Sequence, residues 1–109
     1  MDMPHTVKLH VLSDSAGKKI VVCDPSKLES NRIQLGDVMR FEAADESQTV
    51  EMGFGGVATF APGSKGTFFQ EFTAISIGTF EFTPTITLAD LTVVEWAPGA
   101  GGQGEVKSR

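Results

Sequence analysis

The sequence has few of the residue types from which small functional sites are most often built. Among its 109 residues there are one cysteine (Cys23), two histidines and no tyrosine. A single cysteine excludes an intrachain disulfide, which fits a reducing compartment or a secreted protein that needs no bridge. The length predicts one domain that buries roughly 65% of its unfolded surface, which is enough for one core.

Basic residues are also scarce. Nine Lys and Arg stand against fourteen Asp and Glu, which gives a net charge of −5. A nucleic-acid backbone and an anionic membrane surface both attract clustered Lys and Arg. The acidic composition therefore argues against nucleic acid and membrane as partners.

No long hydrophobic run is present. The N-terminal sequence MDMPHTVKLHVL lacks a charged region followed by a long apolar segment, so it is predicted to be neither a signal peptide nor a membrane anchor. With Met1 as the natural start, the expected compartment is the cytoplasm. A chain trimmed of a signal would leave the compartment open.

The sequence does contain apolar residues with the period of β-strands. Val7, Leu9 and Val11 alternate with polar residues, as half-buried strands do. Turn signals recur every eight to twelve residues, which indicates an all-β sandwich or barrel. Strands are predicted over 5–13, 19–23, 32–35, 38–43, 48–54 and 57–60, with two or three more over 67–96.

Residues 67–96 carry most of the large apolar side chains and are predicted to be the segment around which the rest packs. The predicted core side chains there are Phe69, Phe72, Ile75, Ile77, Phe80, Phe82, Ile86, Leu91, Val93 and Trp96. Residues 61–66, APGSKG, are predicted to be a turn. Residues 24–30, DPSKLES, are predicted to be one helical turn or a loop.

The glycine-rich end of the sequence differs from the rest. Residues 98–109 contain four glycines and no apolar period, so they are predicted to form a flexible tail. Residues 1–97 are predicted to form the single β-sandwich domain.

Two segments carry a resemblance to a known family. RIQLGDVMRFEAADESQTVEM (32–52) and TFFQEFTAISIGTFEFTPTITLADLTVVEW (67–96) resemble the cupredoxins in the order of Gly-Asp, acidic loop, Gly-aromatic strand and closing strand. The resemblance covers about residues 7–96. It implies an all-β, two-sheet Greek-key β-sandwich that is cupredoxin-like, with at most one short helical turn.

The resemblance ends at the metal ligands. A blue-copper site takes two His, a Cys thiolate and a weak axial ligand, usually Met. Gln48 and Thr49 stand where the family has its first His, and residues 83–90, where the other ligands would lie, contain no Cys, His or Met. The resemblance therefore implies the scaffold without copper chemistry, and no metal, cofactor or catalytic residue is expected.

The loops at the former metal end are the candidate binding site. One loop supplies Glu46, Gln48 and Thr49, and the other supplies Thr83, Pro84, Thr85 and Thr87. Their carboxylate, amide and hydroxyl groups suit hydrogen bonding. The predicted function is a metal-free, cupredoxin-like binding or assembly module, with a protein partner or self-association, and not an enzyme.

Three alternatives stay open at this point. The first is a copper or electron-transfer protein with atypical ligands from Cys23, His5, His10 and Met39 or Met52, although no metal-ligand spacing is present. The second is an enzyme with Cys23 as nucleophile, for which the sequence offers no recognisable orienting group or oxyanion hole. The third is a subunit that assembles through exposed edge strands.

Overall fold

The structure is a computed structural model, and it describes residues 5–24, 33–96 and 102–108. The described residues form ten strands and no helix. The strands are β1 (His5–Ser13), β2 (Lys19–Asp24), β3 (Ile33–Gln34), β4 (Val38–Ala43), β5 (Thr49–Gly56), β6 (Phe60–Lys65), β7 (Phe69–Ala74), β8 (Gly78–Thr87), β9 (Val93–Glu95) and β10 (Gly102–Lys107).

The strands form two mixed sheets. The first has the order β2-β1-β4-β7-β6, and the second has the order β3-β10-β8-β5, with β9 also paired to β8. The β1–β4 and β3–β10 pairs are parallel, and the others are antiparallel. This architecture confirms the predicted all-β, two-sheet sandwich. No described segment is a helix that could span a membrane.

The core lies between the sheets and contains a cluster of phenylalanine rings among aliphatic side chains. Phe41 from β4 is fully buried, and its ring centroid lies 5.0 Å from that of Phe82 in β8 and 5.7 Å from that of Phe54 in β5. Phe80 and Phe82 are also buried because alternate residues of β8 face the same side. Edge-to-face packing of this kind adds about 0.5–1.5 kcal/mol per pair beyond area burial.

Strand β8 carries a proline although it has neighbours on both sides. Strand β5 pairs with β8. The N–H groups of Val50 and Met52 in β5 point away from β8 and donate to other parts of the chain. The facing residue Pro84 therefore directs its nitrogen away from β5, to the side where β10 pairs with 78–82 and β9 with 85–87. Pro84 lies in the gap between those two partners, so the ladder loses no donor there.

Two predicted connections are wrong. Residues 61–66 were predicted as a turn, but β6 spans Phe60–Lys65, with a bulge between Pro62 and Lys65. Proline is tolerated here because β6 is an edge strand. Residues 83–90 were predicted as a loop, but β8 continues to Thr87, since its threonines suit a strand.

Phe69 was predicted to lie in the core, but it lies on the outer face of β7 against Arg40. Four other residues predicted to lie in the core are exposed. Ile75 and Ile77 occupy the β7–β8 connection, and Leu91 and Val93 lie in or beside the β8–β9 turn. Their exposed fractions run from 53% to 80%. The sequence pattern failed for Ile75, Ile77 and Leu91 because they lie where the chain turns and the strand period no longer applies. Val93 lies on the outward face of β9, opposite the buried Val94.

The predicted flexible tail is wrong for residues 102–107, which form β10 between β3 and β8. Val106 of this strand is buried in the core. Glycine is used because the Phe82 ring occupies the space that a side chain at 102 would need. The predicted helical turn at 24–30 lies, after Asp24, outside the described residues.

Candidate functional site

The structure brings part of the predicted binding site together. Thr49, the first residue of β5, pairs directly with Thr87, the last residue of β8, and Gln48 precedes Thr49 in the connection from β4. Glu46 is exposed in that connection, and the Gln48 N–H donates to the Asp45 carbonyl at 3.1 Å. These residues lie at one end of the sandwich, which we call the Thr87 end.

The other predicted residues lie further along β8. Thr83 and Thr85 pair with Gly53 and Glu51 in the strand ladder and are half-buried. Pro84 is fully buried and faces the core. Pro84 is therefore a packing residue, and the threonines form an outward row along the sheet.

Two hairpin turns at the Thr87 end have the same hydrogen-bond pattern. In the β1–β2 turn the Asp14 N–H donates to the Lys18 carbonyl at 2.8 Å and the Gly17 N–H to the Asp14 carbonyl at 2.9 Å. In the β8–β9 turn the same two bonds run from Leu88 to Thr92 at 2.8 Å and from Leu91 to Leu88 at 2.9 Å. Gly17 and Leu91 therefore occupy equivalent positions.

That position requires a left-handed backbone. Gly17 has a φ of 82° and Leu91 has a φ of 71°. Glycine adopts this conformation freely, whereas an ordinary L-residue is destabilised there by about 1–2 kcal/mol. Leu91 is also 80% exposed, so its side chain gains little from burial. On both counts leucine is unfavourable for folding at this position.

An open cleft of about 760 Å³ lies between the two hairpins. Lys18, Lys19 and Ile20 line it from one hairpin, and Val93, Glu95 and Trp96 line it from the other. Asp90 of the β8–β9 turn is fully exposed, and hydrogen bonds from Thr92 hold its pKa below the usual value. The cleft thus combines apolar walls with charges of both signs.

The residues of the alternative sites are not gathered into one cluster. Cys23 is buried and pairs with Leu9 of β1, whereas His5 Nε2 lies 3.1 Å from Asp37 Oδ2. His10 pairs with Val22 further along β1. Within 5–24, 33–96 and 102–108, no three His, Cys, Asp or Glu side chains lie close enough to hold a metal ion.

Burial lowers the reactivity of the Cys23 thiol. Burial raises its pKa to about 11, and a hydrogen bond with the Gly102 backbone lowers it only in part. We therefore expect iodoacetamide to alkylate the folded protein at neutral pH about 100-fold more slowly than the urea-unfolded protein, because the thiolate is the reacting species. Mass spectrometry over time gives both rates, and the folded rate should climb as the pH approaches 11.

An activated cysteine would give the opposite result. Rapid alkylation of the folded chain at pH 7 would support the nucleophile hypothesis and contradict the expectation. The Cys23→Ala protein is the control for labelling at any other group.

Sequence reasoning missed Leu91 as an exposed residue and missed the buried amide of Gln70. The left-handed conformation of Leu91 has no sequence signal, because the glycine that usually marks such a position is absent. No protein-family model and no curated protein sequence matches this chain. Membership of the cupredoxin family therefore stays a prediction from the resemblance.

Proposed function

We propose that this protein is a metal-free, cupredoxin-like binding module that contacts a protein partner at its Thr87 end, with Leu91 at the centre of the contact. The observation that carries the proposal is the leucine at a left-handed position with 80% of its surface exposed. Backbone strain of this kind is typical of residues kept for function.

The equivalent turn in the same chain supports this interpretation. The β1–β2 turn has glycine at the corresponding position, so the hydrogen-bond pattern itself does not require a side chain. Burying the Leu91 side chain against a partner would recover about 1.5–3 kcal/mol of hydrophobic free energy. A partner therefore offsets the two unfavourable features that the isolated domain carries.

The surroundings of Leu91 suit a protein surface. Val93 is 58% exposed, and the cleft beside it is lined by Trp96 and by two lysines. Aromatic and aliphatic anchors within a polar rim are typical of protein–protein contact sites. The neighbouring Gln48, Thr49 and Thr87 add hydrogen-bonding groups at the rim.

Leu91→Gly should separate stability from binding. We expect the variant to be more stable by roughly 0.5–1 kcal/mol, since relief of backbone strain outweighs the greater flexibility of glycine in the unfolded chain. Urea unfolding measures this gain. Partner binding should weaken about 10-fold or more, because the central apolar contact is lost.

Photo-crosslinking measures the loss of partner binding that is predicted for Leu91→Gly. A benzophenone amino acid at exposed position 89 should give an adduct, with the protein alone or with extract of its source cells, and that adduct should disappear in the Leu91→Gly background. Val57→Ser is the matched control, because Val57 is 70% exposed and lies at the opposite end of β5. An adduct that survives Leu91→Gly, or that Val57→Ser removes equally, would contradict the proposal.

A further inference from the structure

The edge of β5 is another open surface of the sandwich, away from the Leu91 turn. Among the described strands, β5 pairs only with β8. On its other side, the Val50 N–H donates to the Thr67 carbonyl at 2.9 Å, and the Met52 N–H donates to Gln70 Oε1 at 3.2 Å. Two backbone N–H groups on this edge of β5 therefore already have hydrogen-bond acceptors within the protein.

The next donor on that edge has no such partner. Strand period two directs the Phe54 N–H to the same side as those of Val50 and Met52. No described residue accepts a hydrogen bond from it. A free edge donor next to an open groove is a site for an added strand.

A groove in two parts lies beside this donor between β5 and β6. One part, of about 270 Å³, includes Met52, Gln70 and Phe72, and the adjoining part, of about 260 Å³, includes Phe54, Phe60 and Phe72. Phe72 lines both parts, so they lie next to each other. Residues 51–56 border the groove over roughly 20 Å, at about 3.3 Å per residue, which fits an extended segment of about six residues.

The floor of the groove is aromatic and partly open. The Phe54 ring centroid lies 4.8 Å from that of Phe60 and 4.8 Å from that of Phe72, and all three side chains are half-buried. Gly55 of β5 and Gly63 of β6 add no side chain to the walls. Apolar side chains of an incoming strand could therefore reach the rings.

The charged residues that border β5 determine which side chains fit on the opposite face of the incoming strand. The Glu51 side chain is 63% exposed, and the Glu81 carboxylate lies 3.9 Å from where a β-carbon on Gly55 would be. Lys65 is the one basic side chain that lines the groove among the described residues, and its Nζ lies 3.4 Å from Glu51 Oε1. The outer rim thus carries excess negative charge, as does the whole chain at −5.

We propose that the groove between β5 and β6 binds an extended segment of a partner protein in which apolar residues alternate with Lys or Arg, as a strand added to β5. The apolar side chains pack on Phe54, Phe60 and Phe72, the basic ones face Glu51 and Glu81, and a peptide carbonyl accepts the Phe54 N–H. This surface goes beyond the Leu91 contact and does not depend on it.

The test uses NMR titration of the whole ¹⁵N-labelled protein with the capped peptide VKVKVKV. We expect shifts in the amide signals of residues 51–56 and 60–65, and hydrogen exchange of the Phe54 amide slowed by about 10-fold at saturation. The matched peptide VEVEVEV should give neither effect. Affinity for the basic peptide should also fall as salt is raised, since salt screens exposed charges.

Charge reversal provides the matched variants. Glu51→Lys combined with Glu81→Lys changes two exposed side chains, and the affinity for VKVKVKV should drop about 10-fold or more while VEVEVEV gains affinity. Lys65→Glu should raise the affinity for VKVKVKV and lower the affinity for VEVEVEV. Salt dependence of the wild-type protein keeps the test decisive if the double variant fails to fold.

Three outcomes would overturn the proposal. The first is equal binding of both peptides, and the second is a set of shifts centred on Leu91 in place of β5. The third is protection of the Phe54 amide that rises with protein concentration in the absence of peptide, which would make a second copy of this chain the occupant. Crosslinking from position 89 reports separately on the Leu91 contact, so failure here leaves that proposal intact.

Discussion

Gly102→Ala should destabilise the protein by about 3 kcal/mol, at the upper end of the range for overpacked cores. A β-carbon at position 102 would overlap the Phe82 ring. That ring is fully buried and lies 5.0 Å from Phe41 and 6.1 Å from Phe80, so it has little room to move. Urea unfolding followed by circular dichroism gives the change in free energy.

Two further variants test the cause. Gly55→Ala adds the same methyl group where the nearest atom is 3.9 Å away, and it should change stability by less than about 0.5 kcal/mol. In the Phe82→Leu background, Gly102→Ala should destabilise by only about 1 kcal/mol, because the smaller side chain leaves space. A Gly102→Ala effect as small as that of Gly55→Ala would restore the prediction of a flexible tail.

Phe41→Ala should have the largest effect, a loss of about 4 kcal/mol. The Phe41 ring is fully buried and contacts Phe82 and Phe54 of the second sheet as well as Phe72 of its own. Its removal leaves a cavity between the sheets that three rings border. Because small domains have only about 5–15 kcal/mol of stability, the thermal transition should fall steeply.

Phe69→Ala is the matched control for this substitution. Phe69 lies on the outer face of β7, where the Arg40 guanidinium stacks 3.8 Å from its ring centroid. Loss of that partly exposed ring should destabilise by about 1 kcal/mol. Equal effects of the two variants would show that the inter-sheet aromatic cluster is not the main source of stability.

The strands with regular alternation could be predicted from sequence. The limits of β1 at His5–Ser13 and of β4 at Val38–Ala43 are confirmed, because one face of each is buried and the other solvated. Strand β10 could not be predicted in this way. Its glycines suggest flexibility locally, and only the Phe82 ring and the two neighbouring strands make glycine fit a strand there.

The candidate sites could likewise be predicted from the sequence only in part. The resemblance placed Gln48 and Thr49 at one end with residues 83–87, and the structure puts Thr49 beside Thr87. The sequence could not place Leu91, whose left-handed backbone appears only once the turn is closed. Nor could it identify the free donor of Phe54, since that depends on which side of β5 the chain leaves uncovered.

The central position of β10 has a consequence for biosynthesis. A nascent chain leaves the ribosome from its N-terminus, and β3 has no strand partner among the described residues until residues 102–107 have been made. The first sheet and strands β5, β8 and β9 of the second are made before then, so only the part of the core that β3 and β10 cover stays open during translation. Apolar surface that is exposed in this way is prone to aggregation until residues 102–107 have been made.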